Sequence, residues 1–370
     1  MGMADMFYTR AMRLFYDARY IRTDFPDGVS RYSTELANAL AKHTPVTFII
    51  HDLKQLHFLP KDVEYIRIHK PDSWLEPFTA LRLNAYKPDV VFSPMQTMGS
   101  FGRRFKLLLT LHDMTYYVHR LPPPQAKGIV RPLWRLFHLW YWPQRLVLNR
   151  ADIVATVSQT AKSDIASARL TKRPLIVVSN AARDLSEFLK KPLQLEAKPP
   201  KNLIFMSTLL PYKNAETLIR AMEYLPGRKL HLLSKVSEPR KAELAKLIPN
   251  GANVVFHNGV TDEDYANLLT NDALMVSASK AEGFGLPLAE ALILGVPAVV
   301  SDKPFYREIA GPNGAIYVDP ENPKAVADGI LSLDDLSVRK KVAATGHEHV
   351  KKFSWDESAK VLLKTCQSIV

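Results

Sequence analysis

The sequence predicts an α/β protein made of two doubly wound domains, each a parallel sheet with helices on both faces. Its 370 residues exceed one ordinary hydrophobic core and suit two domains of roughly 150–200 residues. Short apolar, β-branched runs alternate with helical stretches up to residue 180, and the alternation starts again after residue 201. Between them, the polar stretch 181–201 contains several Lys and Pro residues, which indicates an interdomain linker.

The first domain is predicted to open with a βαβ unit. A strand over 12–17 leads into a turn-rich loop over 25–32, a helix over 33–42 and a strand over 46–50. Residues 1–11 are interpreted as a disordered start or an expression remnant. Further strands are predicted over 63–68, 90–92, 107–111, 151–158 and 175–179.

The second domain repeats this pattern. A strand over 202–207 is followed by a loop over 208–214 and a helix over 215–224. Further strands are predicted over 230–234, 254–256 and 273–277. The stretch 279–301 is then the fourth or fifth strand-to-helix step of this domain.

That stretch, 279–301, joins two carboxylates to a glycine-hinged turn. Glu282 is followed by Gly283 and Gly285, which permit a tight turn and the close approach of a ligand. The helix that starts there offers free N–H groups and a positive dipole end, which suit an anion such as a diphosphate. Glu290 lies among apolar residues, so we expect it to be buried and to need a partner. The alternative is that both are surface carboxylates.

Three more residues have both a functional and a structural interpretation. His112 follows the predicted strand 107–111, and strand ends are where open α/β sheets bind ligands. Asp113 beside it could orient the imidazole or hold its positive charge, unless His112 is only structural. Gly28 serves either a turn or the approach of a phosphate to the backbone. Lys213, between a strand and a helix, faces either a phosphate or solvent.

The charge is concentrated in the first half of the chain. The formal net charge is +12, with 25 Lys and Arg against 14 Asp and Glu in residues 1–180, and 24 against 23 beyond. A positive electrostatic field of this kind favours the binding of anionic lipid, nucleic acid or a phosphorylated acceptor. No apolar run approaches the ~20 residues of a membrane span, and no secretory-type segment starts the sequence. The single Cys366 suits a reducing compartment.

Residues 129–150 alternate Arg, Trp, Tyr, Phe and Leu at roughly helical spacing. This predicts either an interfacial amphipathic helix, basic on one side and aromatic on the other, or an ordinary helix with a basic outer face. Asp262, Glu263 and Asp264 resemble a set of carboxylate metal ligands. They are explained instead as acidic residues in the first turn of a helix that Thr261 caps. No metal site is predicted, and there is no zinc spacing, P-loop or Gly-x-Ser-x-Gly motif.

Taken together, these segments resemble the retaining nucleotide-sugar glycosyltransferases of family 4. Their Glu-x7-Glu signature matches Glu282 and Glu290. The other matching segments are 28–32, 111–113, 151–158, 211–214, 307–320 and 353–355. The resemblance implies the GT-B fold, in which two Rossmann-like domains face each other across a cleft. It implies an acceptor-binding domain over 1–185, a nucleotide-sugar-binding domain over 186–355, and a last helix, 356–370, that crosses back to the first domain.

The resemblance also implies roles for residues. Glu282 would hold hydroxyls of the donor sugar and Glu290 those of the ribose. On the donor side, the remaining residues are Gly28, Tyr212, Lys213, Gly259, Val260, Gly283, Phe284, Gly285 and Leu286. Of these, Lys213 and the amides of 283–286 would stabilise the diphosphate, Gly28 would close over it, and Gly259 and Val260 would lie near the base. His112 would contact the sugar near the reacting carbon, which makes His112, Glu282 and Lys213 the catalytic candidates. The acceptor-side candidates are Asp17, Arg31, Tyr32 and Asp113.

Family members are usually described as retaining configuration by front-face attack, in which the leaving phosphate takes the acceptor proton. Preorganised N–H dipoles and Lys213 would offset the charge that develops on the leaving group. No protein nucleophile, metal or cofactor is then expected. One residue departs from the family pattern, because Tyr212 stands where related sequences carry Arg before the Lys. A phenol has one hydrogen-bond donor, whereas a guanidinium can hold a diphosphate with two. Three alternatives follow: weaker binding of the nucleotide-sugar, an Arg supplied from elsewhere in the chain, or a different nucleotide-sugar.

The resemblance favours mannose from GDP-mannose, moved to a glycan, polyprenyl-linked or phospholipid acceptor. The alternatives are a UDP-sugar-dependent transferase of glucose or N-acetylglucosamine, a nucleotide-sugar epimerase of the same fold, and a basic protein that binds membrane or nucleic acid. Acidic site residues argue against nucleic acid, because they repel polyanions. The expected location is the cytoplasm, peripheral on the inner face of the plasma membrane if residues 129–150 bind anionic lipid.

Overall fold

Two parallel sheets, one in each half of the chain, organise the molecule. A computed structural model describes residues 12–24, 27–120, 122, 128, 130–189, 195 and 197–370. The first-half strands are β1 Leu14–Asp17, β2 Thr47–Ile50, β3 Tyr65–Arg67, β4 Val90–Ser93, β5 Lys106–Thr110, β6 Ile153–Thr156 and β7 Leu175–Val177. The second-half strands are β8 Asn202–Phe205, β9 Lys229–Leu232, β10 Asn253–Phe256, β11 Ala273–Ser277, β12 Ala298–Ser301 and β13 Ile316–Val318.

Helices cover both sheets. Those of the first half are α1 Gly28–Ala41, α2 Thr79–Asn84, α3 Thr115–Val118, α4 Val130–Phe137, α5 Trp142–Leu148 and α6 Gln159–Ser167. Those of the second half are α7 Ala215–Ala221, α8 Glu238–Ala245, α9 Asp262–Thr270, α10 Leu286–Ile293, α11 Pro304–Ala310, α12 Pro323–Ser332, α13 Leu336–Val350 and α14 Trp355–Gln367. Short 3₁₀ turns lie at Ala18–Tyr20, Leu53–Phe58, Glu76–Phe78, Ser186–Phe188, Pro211–Lys213 and Met222–Tyr224.

The strand order confirms the predicted fold class. It is β3-β2-β1-β4-β5-β6-β7 in one sheet and β10-β9-β8-β11-β12-β13 in the other. In each sheet the order reverses beside the first strand, between β1 and β4 and between β8 and β11. Such reversals open a crevice at the carboxyl ends of the strands, where α/β proteins bind ligands. The inner strands β1, β4, β6, β11 and β12 are buried along their whole length, as parallel sheets covered on both faces require.

Two predicted elements are corrected. Helix α1 begins at Gly28 rather than at residue 33, because Asp27 Oδ1 accepts the Ser30 amide at 2.9 Å and caps it. Residues 130–148 form two short helices, not one. Pro143, second in α5, has no N–H for the hydrogen bond that would continue α4. Residues 1–11, 129 and 190–194 lie outside the described residues.

The two halves contact each other directly. Glu308 of α11 accepts hydrogen bonds from the Gln159 and Thr160 amides at the start of α6, at 2.7 and 2.8 Å. Helix α14 then returns to the first sheet's layer, where Ser358 Oγ donates to the Ser179 carbonyl at 2.7 Å. Divisions at residues 185 and 355 remain our proposal for the domain limits.

A buried ion-pair cluster fixes the end of β1. Arg19 pairs with Asp17 at 2.8 Å and with Glu76 at 2.7 Å, and the side chains of Asp17 and Arg19 are fully buried. Three charges taken from water require this mutual pairing. Among the described residues, no helix combines the length and apolar character that a membrane span needs.

Candidate active site

The loop between β11 and α10 has a backbone that only glycine suits. Gly285 precedes α10 with φ of +105°, and a Cβ there would lie 3.1 Å from Tyr306 Cε1. Phe284 is buried and packs edge-on against Phe353 at 5.2 Å, so its side chain stabilises the loop and cannot contact a ligand. What this loop offers a ligand is therefore its amides, including those at the start of α10.

The same loop touches the first domain at Gly283. A Cβ on Gly283 would lie 2.6 Å from Asp113 Oδ2, and Ser158 Oγ donates to the Gly283 carbonyl at 2.7 Å. Here glycine is favoured by the close approach of Asp113 from the other domain and not by its φ angle. The cleft is consequently narrow at this point, with Asp113 facing the amide-rich loop.

Glu282 is held by Lys213 from the neighbouring loop. Lys213 Nζ lies 2.6 Å from Glu282 Oε2, and both side chains are nearly buried. The 3₁₀ turn Pro211–Lys213 positions the lysine, and the Lys280 amide donates to the Tyr212 carbonyl at 2.9 Å, which ties the two loops together. The structure thus brings two predicted catalytic residues into direct contact.

Glu290 is buried and paired across the domain interface. It is 1% exposed, and its Oε1 lies 3.3 Å from Arg31 Nη1 and 3.6 Å from Arg183 Nε. Burial raises the pKa of Glu290, and the charges of Arg31 and Arg183 oppose that rise. Its Oε2 is also buried, and the Tyr265 hydroxyl is the neighbouring donor to this carboxylate. A buried acceptor of this kind suits a hydroxyl donor such as a ribose hydroxyl.

Gly28 begins α1 directly opposite the start of α10. A Cβ on Gly28 would meet only Leu286 Cδ1, at 4.0 Å, and its φ is not positive. Neither backbone strain nor packing therefore requires glycine here. The interpretation of Gly28 as a turn residue is wrong, since it is the first residue of α1.

His112 is partly buried, and its neutral form is favoured. Its Nε2–H donates to the Pro94 carbonyl at 2.8 Å, and its ring packs edge-on against Tyr32 at 5.0 Å. Burial lowers the pKa of His112, so the neutral form with a free Nδ1 acceptor prevails. Asp113 does not orient the imidazole as expected, because its Oδ1 instead accepts the Thr115 amide at 2.8 Å.

Three acceptor-side assignments are corrected by burial and pairing. Asp17 is enclosed in the ion-pair cluster with Arg19, and Tyr32 is buried with its hydroxyl donating to the Val178 carbonyl at 3.2 Å. Neither side chain can contact an acceptor, so both have a structural role in the interior beside the site. Arg31 pairs with Glu290 of the second domain, at 3.3 Å. Asp113 alone of the four remains in the cleft.

The loop after β10 carries the two residues expected near the base. Gly259 has φ of +106°, and a Cβ there would press on the Lys235 side chain at 3.2 Å. Val260 follows, half-buried against the core. Two residues later Asp262 begins α9 and pairs with Arg183, whose Nη2 lies 3.0 Å from Oδ1. Gly259 and Val260 therefore lead into the ion pairs around Glu290.

Arg183 and the function of Asp262 were missed by sequence reasoning. Asp262 was explained entirely as a first-turn acid, and Arg183 lay in a stretch interpreted as linker. Their only sequence signal is the prediction that buried Glu290 needs a partner. Within the described part of the chain, no group of three or more His, Cys, Asp or Glu side chains is placed to hold a metal ion.

Comparison with known proteins gives the family. A family model described as "Glycosyltransferase Family 4" matches residues 26–183, and one described as "Glycosyl transferases group 1" matches residues 187–348. The chain is 29% identical to O-antigen chain mannosyltransferase B of Escherichia coli over 268 residues, 68% of this chain and 67% of that protein. It is 33% identical to the serotype-specific mannosyltransferase WbdA of Escherichia coli over 301 residues, 75% of this chain but only 35% of that longer protein.

A solved structure shows the same fold along the whole chain. Sucrose-phosphate synthase from Thermosynechococcus elongatus superimposes with a TM-score of 0.73 at 18% identity, covering 97% of this chain and 99% of that one. The two matching family models together cover every strand of both sheets except β1, and they include Lys213, Glu282 and Glu290. The chain belongs to the family 4 glycosyltransferases of the GT-B fold.

Proposed function

We propose that this glycosyltransferase is a retaining mannosyltransferase that moves mannose from GDP-mannose to a glycan or lipid-linked acceptor without a metal ion. The observation that carries the proposal is the convergence of Lys213, Glu282 and Gly28 on the amide-rich start of α10, opposite Asp113. This set combines a cation, oriented N–H groups and carboxylates around one narrow cleft. The choice of mannose follows the similar proteins, two of which are named mannosyltransferases.

The site supplies what departure of a nucleoside diphosphate needs. As the bond from the sugar's anomeric carbon to the phosphate oxygen breaks, its electron pair stays on the phosphate. Lys213 and the amides at the start of α10 offset that charge. Glu282, already balanced by Lys213, accepts hydrogen bonds from sugar hydroxyls. The acceptor oxygen attacks the same face, and its proton passes to the leaving phosphate, so configuration is retained without a protein nucleophile.

Glu290 would hold the nucleotide part of the donor. Its Oε2, buried beside the Tyr265 hydroxyl, would accept a ribose hydroxyl. Gly259 and Val260, on the loop that leads to Asp262, would border the base. His112, neutral and with a free Nδ1, would accept a hydrogen bond from a donor-sugar hydroxyl.

A hydrolysis and transfer screen over GDP-sugars and UDP-sugars tests the proposal. We expect slow hydrolysis of GDP-mannose, lost in Glu282→Ala and in Lys213→Ala, whereas Lys324→Ala, an exposed lysine on α12, keeps it. Analysis of the product's anomeric configuration tests retention, and addition of a chelator tests independence from metal. Equal turnover in both site variants would overturn the proposal. Preference for a UDP-sugar, or epimerisation without released diphosphate, would replace it with the corresponding alternative.

We further propose that α4 and α5 bring the enzyme to an anionic membrane surface, on the cytoplasmic side. Large apolar side chains are exposed along this face, namely Val130, Leu133, Leu136, Leu139, Trp140, Tyr141, Trp142 and Leu146. Arg131, Arg135 and Arg145 are interspersed among them. Exposed aromatic side chains next to basic ones match the chemistry of an interface between headgroups and acyl chains.

A further inference from the structure

An aromatic pair bridges the cleft where the family pattern expects an arginine. The ring of Tyr212, in the donor-domain turn Pro211–Lys213, stacks on the ring of His119 of the first domain, with centroids 5.0 Å apart and planes 17° apart. His119 directly follows α3, so it belongs to the segment that starts at Asp113. Tyr212 is therefore directed toward the acceptor domain and its segment 113–119.

The surroundings of Tyr212 confirm that it lies in the cleft. Its pKa is raised, first by burial and then by the nearby Glu282, Tyr116 and Asp113. A phenol with a raised pKa stays neutral at physiological pH, so Tyr212 adds no charge to offset a diphosphate. Lys213 Nζ, 5.0 Å from the Tyr212 ring centroid, is the cation of this turn. The Tyr212 phenol thus lies between groups proposed to bind the donor and groups of the first domain, which is proposed to bind the acceptor.

A second aromatic pair continues this surface on the first domain. Tyr116, which is 41% exposed, meets Trp134 of α4 edge-on, with centroids 5.1 Å apart and planes at 88°. Trp134 in turn stacks on the buried His138 at 3.9 Å, which fixes its orientation. Tyr116 lies three residues after Asp113. Tyr116 and Tyr212 both lie near Asp113, because the charge of that carboxylate helps to raise the pKa of each phenol.

Aromatic faces beside a carboxylate are the chemistry that recognises a sugar ring. The C–H face of a pyranose is apolar and packs on an aromatic ring, while its hydroxyls donate to a carboxylate. We propose that Tyr212, Tyr116 and Trp134, together with Asp113, bind the pyranose ring of the acceptor. This inference rests on the proposed function and identifies the acceptor end as a sugar residue. Tyr212 then serves the acceptor in place of the diphosphate.

Binding of simple hexosides tests this site independently of turnover. We would titrate methyl α-D-mannoside and methyl α-D-glucoside into the full chain and follow binding by saturation-transfer NMR. Tyr212→Leu and Tyr116→Leu should each weaken hexoside binding about tenfold, whereas Tyr212→Phe, which keeps the ring, should stay within about twofold. Tyr224→Leu, at an exposed tyrosine on the second domain, is the control.

Tyr212→Arg makes the sharpest comparison. A guanidinium at this position should bind GDP more tightly and the hexoside less tightly, so the two affinities move in opposite directions. In transfer assays, Tyr212→Leu should raise the acceptor KM and lower the ratio of transfer to donor hydrolysis about tenfold. Hexoside binding that is absent from the wild type, or equal in the Leu variants, overturns the inference. Loss of hexoside binding in those variants supports it even where no nucleotide-sugar is turned over, which would contradict only the proposed function.

Discussion

Arg31, on the first helix of one domain, lies 3.3 Å from Glu290, the buried carboxylate on α10 of the other. Arg183 approaches the same oxygen, at 3.6 Å, and also pairs with Asp262. The charge of the carboxylate proposed to hold the ribose is thus balanced by the opposite domain. Domain contact and the ionisation of Glu290 are coupled, because separating the domains would remove both arginine partners from the carboxylate.

The two arginines should act as one unit in stability. Arg31→Ala and Arg183→Ala should each lower the free energy of unfolding by about 1–3 kcal/mol, with a coupling energy of about 0.5 kcal/mol or more between them. The physical reason is that both guanidinium groups face the same oxygen of Glu290. Urea titrations of the two single variants and the double variant measure this. Lys351→Ala, which breaks only an exposed pair with Glu348, is the control; strictly additive losses would contradict the coupling.

Gly28→Ala should separate stability from donor binding. The residue has ordinary backbone angles and open space around it. Alanine should therefore leave the free energy of unfolding unchanged or raise it by up to about 1 kcal/mol, and the unfolding temperature should follow. If phosphate oxygens approach this backbone, the added Cβ should weaken GDP binding about tenfold. Thermal shift with and without GDP measures both effects. Lys42→Ala, at the other end of α1, should change neither; a full GDP shift in Gly28→Ala would refute the close approach.

The exposed face of α4 and α5 should bind anionic vesicles. Trp140 and Trp142 are 55% and 57% exposed, and changing both to Ser should greatly reduce co-sedimentation with vesicles rich in phosphatidylglycerol. Arg131→Gln and Arg135→Gln should each cost about 1 kcal/mol at low salt and less as salt rises. Trp74→Ser, which removes an 80% exposed tryptophan outside this face, is the matched control. Equal binding to neutral and to anionic vesicles would show that electrostatic attraction does not contribute to membrane binding.

Acid should destabilise the second domain through a histidine pair. His231 Nε2–H donates to Asn202 Oδ1 at 3.1 Å, so its Nδ1 accepts from His257 Nε2–H at 2.9 Å and both rings are neutral. Burial, His257 and Lys229 lower the pKa of His231 from 6.5 to about 4. The unfolded chain therefore binds more protons in that interval, and stability present above pH 6.5 is lost as the pH falls toward 4.

The measurement is the unfolding temperature near neutral pH and near pH 5. His231→Asn should lose less stability between the two than the wild type does, because it removes the group that gains the proton on unfolding. His57→Asn, at an exposed histidine, should follow the wild type. Parallel pH profiles for wild type and His231→Asn would show that the pair does not govern acid stability.

The sequence predicted the elements whose signal is local. The glycines after Glu282 predicted the turn before α10, and the apolar residues flanking Glu290 predicted its burial. Lys213 and Glu282 were both named, although only the fold shows them 2.6 Å apart. Glycine spacing, hydrophobic periodicity and charge are readable along the chain because each depends on close neighbours.

Partnerships between distant residues were not readable. Arg31 and Glu290 are 259 positions apart, and no local pattern joins them. Asp17 and Tyr32 were placed on the acceptor side from the family resemblance, but Arg19 and the Val178 carbonyl satisfy them in the interior. The stacking of Tyr212 on His119 depends on how the domains meet. Such contacts are set by tertiary packing, which outweighs local preference.

The return of α14 to the first sheet's layer makes that half of the molecule discontinuous in sequence. Trp355, at the start of α14, packs against Tyr32, which in turn packs against His112. The chain therefore passes between the halves twice, after β7 and again before α14, and two tethers restrict relative motion to bending about the line that joins them. The donor half could be excised by cutting both tethers, whereas a first half without its final helix would uncover α1 and lose the support behind His112.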